Sequence, residues 1–518
     1  MKTLFLNSKI WLKKNYFAES LGVDSDTGKI IFVGREKDVL KSEYDEVIDL
    51  NGKVMLPAFN DNHVHLVKGA LVSSELNLRN VLTSEEFKKE ILNYRSNLKP
   101  GKWIQGGYFS DSNFTEKFTI DKNFLDAVCN DVPIFISRFD IHSCFVNSKA
   151  LEFVNNFEGH SFNQDELIRD ADGNLTGELK ERPMYFLQSM IPQKTLEEKA
   201  SDVKQQIFEF HSMGITAISD ITLTEDLDIY EYLLNKGELN LNINSILPFE
   251  EFYNIDKHKE RFASFNQIKF RCFKAFYDGS LSSRTAYYFK NYKNSDMRGI
   301  RTEYINSGDF HKTALAIDKA GYQMAVHAIG DLSVSELLDL NAELDLIHGA
   351  RNRKFRIEHA QHIQPDDFRL FDVLKILASV QPSHLFSDAS TSHELRNDFE
   401  TTHNYSELLK YSVKLCFGTD FPIVSASPFE TIYYAMTRKA KGFENGFTPE
   451  YSMNLYDCLD AYTVNNAYGS NEDHVTGALR TDMRGDLIVL NENIFESNAD
   501  DIRSIKVDMT YKNGTRVH

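Results

Sequence analysis

Short apolar runs that close on polar or charged residues recur through the middle of the chain: GITAISDI from Gly214, LNINSIL from Leu241, IKFRCFKAFYDG from Ile268, YQMAVHAIGD from Tyr322, FRIEHAQ from Phe355, LASVQPSHLF from Leu377 and VKLCFGTDFP from Val413. Successive starts lie roughly 20 to 55 residues apart, and segments of helical period such as DFHKTALAIDKAG fill several gaps, which is the rhythm of parallel strands joined by crossover helices. With LPAFNDNHVHL, Leu56 to Leu66, the count of strands reaches eight. An eight-stranded α/β barrel, the (β/α)8 TIM barrel, is the economical fold.

About 150 residues separate His65 from GITAISDI, too many for one crossover helix, so an inserted α/β domain over about 75–205 is expected after barrel strand one. It holds the helical TSEEFKKEILNYRSNL, the strand-like VPIFISRF and the turn ADGN. The first 55 residues carry the β-type runs TLFLNSKIW and KIIFVG around the turn VDSDTGK. Near the other end, RGDLIVL and IRSIKVDMTYKNGTRV carry an Asn-Gly turn at Asn513 and Gly514. These two half-sheets predict one small β-sandwich built from both termini, 1–55 and 481–518, flanking a barrel over 56–480.

Composition narrows the partners. The chain has 518 residues and a formal net charge of −18, with no long Lys/Arg run, which argues against nucleic acid or an anionic membrane surface and favours a small-molecule ligand. Cys129, Cys144, Cys272, Cys416 and Cys458 form no C-x-x-C and read as reduced thiols. The opening MKTLFLNSKIWLKK is broken by Asn7, Ser8 and Lys9, and no stretch approaches the roughly 18 apolar residues needed to span a bilayer, so a cytoplasmic location is expected. A homodimer is the candidate assembly.

In a parallel barrel the active site lies at the C-terminal ends of the strands. Strand one ends in His63 and His65, strand five in His327, strand six in His359 and strand eight in Asp420. One H-x-H is weak evidence, since roughly 0.5 such pairs arise by chance from 16 His. Four histidines and an aspartate at one mouth make a metal site with room for more than one ion. Lys274 sits inside the apolar run of strand four, where burial disfavours its charge. It either snorkels or pairs with Asp278, or its neutral amine adds carbon dioxide to become a carbamate.

The segments HVHL, FKAFYDGSLSSRTA, AVHAIGD, RIEHAQ, SVQPSHL and FGTDFP, in this order, resemble the amidohydrolase superfamily, in the YtcJ-like branch that includes N-substituted formamide deformylase. SRFDIHSCFVNSKALE, DADGNLTGELKE and RGDLIVL extend the resemblance over nearly the whole chain, while Asn62 stands where Ser or Thr is commoner. The resemblance implies two divalent ions, zinc the first candidate. His63 and His65 bind one, His327 and His359 the other, carboxylated Lys274 bridges them, and Asp420 is ligand and catalytic base. Two such ions carry four positive charges, which the carbamate, Asp420 and a hydroxide largely offset. The implied reaction is hydrolysis of an amide-type C–N bond in a small-molecule amide, an N-substituted formamide or similar. Asp420 then takes the proton of the metal-activated water and passes it to the leaving amine.

Two other readings stay open: a deaminase or cyclic-amide hydrolase on the same residues, and a non-catalytic binding protein that keeps the fold. Asp278, Arg284 and Asp331 read equally as loop anchors and as substrate contacts, and His142, His384 and Asp388 lie in segments that match the family and are candidates to reach substrate. His211, His311 and His474 read as surface or helix histidines. A thiol nucleophile at Cys144 has no support beyond its closeness in sequence to His142.

Overall fold

Strands that are covered on both faces need no polar alternation, and the eight central strands are of this kind. The computed structural model describes residues 1–138, 142–155 and 166–518, so Phe139 to Ile141 of the SRFDIHSCFVNSKALE segment lie outside the described residues. The strands are β1 (Phe59–Val64), β2 (Ile215–Ile221), β3 (Asn242–Pro248), β4 (Ile268–Phe276), β5 (Gln323–Ala328), β6 (Arg356–His359), β7 (Leu377–Val380) and β8 (Leu415–Phe417). They form one parallel sheet in sequence order, the expected barrel. β1 and β8 meet through Asp420 N–H donating to the His63 carbonyl at 2.7 Å and His65 N–H donating to the Phe421 carbonyl at 2.9 Å. Gly418 permits this closure: a Cβ there would stand 2.7 Å from the backbone nitrogen of His63, closer than real contacts allow.

The crossover helices follow the pattern that the gaps predict. The longest, Asp331–His348, buries Val334, Leu337, Leu338 and Leu344 at helical spacing and stops at Gly349, whose φ is 84°. The helix Pro428–Thr437 begins with Pro at its first position and Ser427 as cap, accepting from Glu430 N–H. No helix among the described residues is long and apolar enough to cross a membrane.

Both termini contribute to a pair of sheets. One has the strands Lys29–Gly34, Ser20–Asp24, Lys2–Leu6 and Glu46–Asp49; the other has Thr515–Arg516, Val507–Lys512, Leu487–Leu490, Val54–Pro57, Lys9–Lys13 and Tyr16–Ala18. Phe5, Leu21, Val23 and Ile30 of the first sheet share a core with Ile10, Met55, Leu487, Val489 and Tyr511 of the second, which makes this a sandwich. The hairpin turn is Asn513-Gly514, with φ of 50° and 69°, both positive as a type I′ turn requires. A chain truncated near Ala478 loses the strand that pairs with Val54–Pro57 and exposes an apolar edge. It should aggregate; a monodisperse, folded truncation by light scattering and circular dichroism would show that the two ends are independent.

Residues 68–203 form a second compact unit. Its sheet runs Leu167–Arg169, Leu175–Lys180, Ser143–Val146, Ile134–Arg138, Ile104–Phe109 and Leu76–Asn77. The helix Ser84–Ser96 covers it, capped by Thr83 and burying Phe87 and Ile91 in a cluster with Ile104, Phe109, Leu125 and Ile136.

All five cysteines are free and buried. His311 pairs with Glu343 at the surface and His474 is exposed, but His211 is a core residue, 4% exposed, its Nε2–H donating to the Asn240 carbonyl at 2.8 Å. Burial pulls its pKa down to about 4. The folded chain therefore refuses a proton that the unfolded chain accepts below about pH 6.5. Stability should be full above that pH and fall by roughly 3 kcal/mol as pH drops from about 6.5 to 4. His211→Gln keeps the donor and removes the titration, so urea midpoints at pH 7 and pH 5 should differ less in the variant; an unchanged difference would assign the pH dependence elsewhere.

Candidate metal centre

The first ligand strand is not regular. The register of β1 against β2 slips between Asp61 and Val64, a β-bulge that re-aims the side chains around His63, and His65 lies just beyond the strand. Asp61 fixes this turn by accepting from His63 N–H at 3.1 Å and from Thr419 N–H and Oγ1 at 3.0 and 2.6 Å. Asp220 does the same for the following residues, accepting from Leu66 N–H at 2.8 Å and Tyr230 O–H at 2.7 Å. The result sets the His63 and His65 rings 5.7 Å apart, with His65 Nε2 3.1 Å and His63 Nε2 3.5 Å from Asp420 Oδ1.

Asp420 is the hub. Its second oxygen lies 3.9 Å from His384 Nε2. The donor atoms of His63, His65 and Asp420 lie within 4.8 Å of one another, and so do those of His359, His384 and Asp420. Asp420 and His359 both hold left-handed backbone, φ 59° and 71°, conformations that cost about 1–3 kcal/mol each and cluster at functional sites. His327 belongs to neither tight donor group, but its ring is 4.5 Å from that of His359, which in turn is 5.2 Å from His63.

Three of these histidines are held by the ring nitrogen that points away from the others. His63 Nδ1 is 2.5 Å from Glu358 Oε2, His359 Nδ1 donates to Gln381 Oε1 at 2.8 Å, and His327 Nε2 donates to the Gly279 carbonyl at 3.1 Å. Each bond fixes the tautomer and leaves the other nitrogen as a lone-pair donor, the arrangement by which proteins orient metal-binding imidazoles. Glu358 is itself clamped by Arg356 Nε at 2.7 Å and Ser379 Oγ at 2.6 Å, and Asn62 joins the same network by donating to Ser379 Oγ at 3.0 Å. The sequence reading missed Glu358, Arg356 and Gln381. The available signal was a charged pair inside the strand RIEH, which is buried throughout.

Burial, then the charge of Lys274, lowers the pKa of His63, and the same two causes take His327 to about 3. His359 is held well down by burial and by His327. Each of these shifts favours the neutral imidazole, the form that binds a metal. Burial opposes ionisation of Asp420, yet His63, the hydrogen bond from His65, His359 and His384 outweigh it and keep the carboxyl well below the ordinary range. Lys274 is 4% exposed and its Nζ has no hydrogen-bond partner among the described residues. Burial pulls its pKa to about 8 against the opposing pull of Glu358 and Asp420. The fraction of neutral amine at pH 7 thereby rises from roughly 1 in 3,000 to roughly a tenth.

Asp278 does not pair with Lys274. It follows the end of β4, and its oxygens accept from the backbone N–H groups of Tyr287, Ile329 and Gly330 and from Ser333 Oγ, at 2.8 to 3.0 Å. It anchors the loop after β4, as Asp331 does by accepting from Phe289 N–H at 2.9 Å. Arg284 is exposed on that loop. Asp388 accepts from His403 Nε2 at 3.1 Å, and His142, in the second unit, is exposed and lies 3.0 Å from Glu181.

A sequence profile described as the amidohydrolase family matches residues 46–518. The chain belongs to the amidohydrolase family. Among its relatives, Protein LONG AFTER FAR-RED 3 of Arabidopsis thaliana is 27% identical over 97% of this chain and 88% of that protein. N-substituted formamide deformylase of Arthrobacter pascens is 22% identical over 94% of this chain and 93% of the enzyme, which puts this amidohydrolase in the YtcJ-like branch. An uncharacterized metal-dependent hydrolase from Pyrococcus horikoshii OT3 superimposes with a TM-score of 0.74, at 25% identity, covering 96% of this chain and 99% of the other. The amidohydrolase is thus a metal-dependent hydrolase, and the donor set described above suits that class: imidazoles that favour the neutral form, one ionised carboxylate and a buried amine with no hydrogen-bond partner among the described residues.

Proposed function

We propose that this amidohydrolase hydrolyses an acyclic amide-type C–N bond of a small molecule in the cytoplasm, an N-substituted formamide or a close analogue, releasing an acid and an amine. The observation that supports this most is the meeting of four histidines and Asp420 with the buried amine of Lys274, which has no hydrogen-bond partner among the described residues. His63, His65 and Asp420 would hold one divalent ion and His327 and His359 a second. Lys274 would lie between them as a carbamate, formed when its neutral amine adds to carbon dioxide and loses one proton. When bound, two divalent ions, zinc first among them, would supply Lewis acidity toward a water and a substrate carbonyl.

The chain's own groups do the rest. Asp420 is the carboxylate that faces the ligand histidines, so it takes the proton of the attacking water and gives it to the leaving nitrogen, base first and acid second. His384 Nε2 lacks a hydrogen-bond partner among the described residues and is the group best placed to hold the substrate carbonyl. Asp278 and Asp388 position the β4 loop and His403. Phe276, 49% exposed, ends β4 with its ring 5.3 Å from that of His327, and Leu223, Phe386 and Ile423, each 46 to 61% exposed, follow the C-terminal ends of β2, β7 and β8. That rim suits an apolar substituent on the amide nitrogen.

The test is a panel of N-alkyl and N-aryl formamides, a cyclic amide and an amino-substituted ring, each incubated with the zinc-loaded enzyme. Formate and amine should appear in equal amounts from at least one formamide, cease on chelation and return with zinc. Turnover confined to ring opening or to release of ammonia would replace this reading with the cyclic-amide hydrolase or the deaminase. Full metal occupancy with no turnover of any compound would favour the non-catalytic binding protein.

A further inference from the structure

At the N-terminal end of the barrel, away from the strand ends that carry the histidines, a cavity of about 730 Å³ opens between the starts of β4, β5 and β6. Its size suits a small organic ligand. Lys259, Lys269, Arg271, Arg351, Arg353 and Lys354 line it, and among the described residues no Asp or Glu does. In a chain of net charge −18 this is a pronounced concentration of one sign.

The carboxylates behind the wall do not cancel it. Buried Asp318 is shared by Arg351, Arg353 and His348. Arg353 also reaches Asp345, Arg271 pairs with Glu472, and Lys354 lies 3.5 Å from Asp473. Lys259 and Lys269 have no carboxylate partner among the described residues; Lys259 Nζ donates to the Tyr322 hydroxyl at 2.5 Å. A cleft in which cations outnumber the carboxylates that pair with them, between low-dielectric walls, concentrates anions.

The wall itself also holds unsatisfied polar groups. Gln323, 4% exposed, also lines the cavity. Its Nε2 donates to the carbonyls of Lys354 and Gly469 at 2.7 and 2.9 Å, which fixes the orientation of the amide and leaves Oε1 buried without a donor. A buried carbonyl oxygen without a donor is costly, about 1–3 kcal/mol. Arg271 and Lys269 continue into a pocket of about 30 Å³ where Asn60 Oδ1 and Asn244 Oδ1 likewise have no hydrogen-bond partner among the described residues.

We propose that this cavity binds a small organic phosphate, the phosphate lying against Lys259, Lys269 and the arginines and the organic part filling the remaining volume. The site is separate from the metal centre, and its test does not depend on turnover.

Metal-loaded full-length enzyme is titrated by calorimetry, at matched ionic strength, with AMP and glucose 6-phosphate, and with adenosine, glucose and inorganic phosphate as their halves. At least one organic phosphate should bind once per chain and more tightly than its halves; a preference for AMP assigns a nucleotide, a preference for glucose 6-phosphate a sugar phosphate. The double variant K259E/K269E should weaken that binding at least tenfold. Lys269→Gln, a milder change that serves if the double variant fails to fold, should weaken it about threefold. The proposal is overturned if neither organic phosphate binds, if the variants bind as the parent does, or if inorganic phosphate or a neutral half binds as tightly as the intact molecule.

Discussion

Asp420→Asn should lower amide hydrolysis by about 10³-fold or more while the enzyme stays folded, the general acid–base contribution alone being about 10²–10⁴-fold. The substitution is unusually clean. Asp420 holds a left-handed backbone, φ 59°, and Asn is the residue that tolerates this conformation best after Gly, so neither shape nor backbone is disturbed. What is lost is a carboxylate held ionised by His63, His65, His359 and His384, and with it the proton carrier and a metal ligand. Steady-state hydrolysis and the thermal midpoint should be measured together. A variant that keeps more than about a tenth of parental turnover would remove Asp420 as the base.

Lys274→Ala should bind fewer metal ions per chain than the parent and lose turnover to a similar degree, and both should recover in part when acetate or propionate is added. Removing the side chain vacates the space in which a carbamate would end, and a short carboxylate can enter it and offer the same oxygens. A lysine that merely filled space would give no role to an added acid. Removing a buried amine that has no hydrogen-bond partner also leaves no orphaned group behind, so loss of metal should not be secondary to unfolding. The decisive measurement is metal per chain by mass spectrometry, with and without the acid at equal ionic strength. Parental metal content in the untreated variant would exclude a bridging carbamate.

The barrel was legible because a strand buried on both faces writes itself as a continuous apolar run, and because each run ended on the polar residue that faces the mouth. What could not be read was whatever depends on contacts distant in sequence. Glu358 is recognisable as the partner of His63 only once residues 295 positions apart are brought together. The bulge in β1 is equally hidden, since a regular alternation through Asn62, His63 and Val64 reads the same on paper as one that slips register. The suggested pairing of Lys274 with Asp278 assumed that the strand continues for four residues; β4 ends at Phe276, and the chain beyond turns Asp278 toward the amides of the next loop. Rim residues such as Leu223 and Ile423 gave no periodic signal because nothing packs a loop into a repeating pattern.

The split sandwich sets a timetable for synthesis. Val54–Pro57 leaves the ribosome early, yet the strand that covers its free edge, Leu487–Leu490, is about 430 residues behind it. At roughly 5–20 residues per second, that edge waits on the order of 20 to 90 seconds before its partner exists. The barrel cannot shield it, because the sheet that begins at Phe59 is itself completed only by Leu415–Phe417. Folding of this region is therefore post-translational, and the nascent chain is a client for whatever holds apolar strand edges apart during that interval.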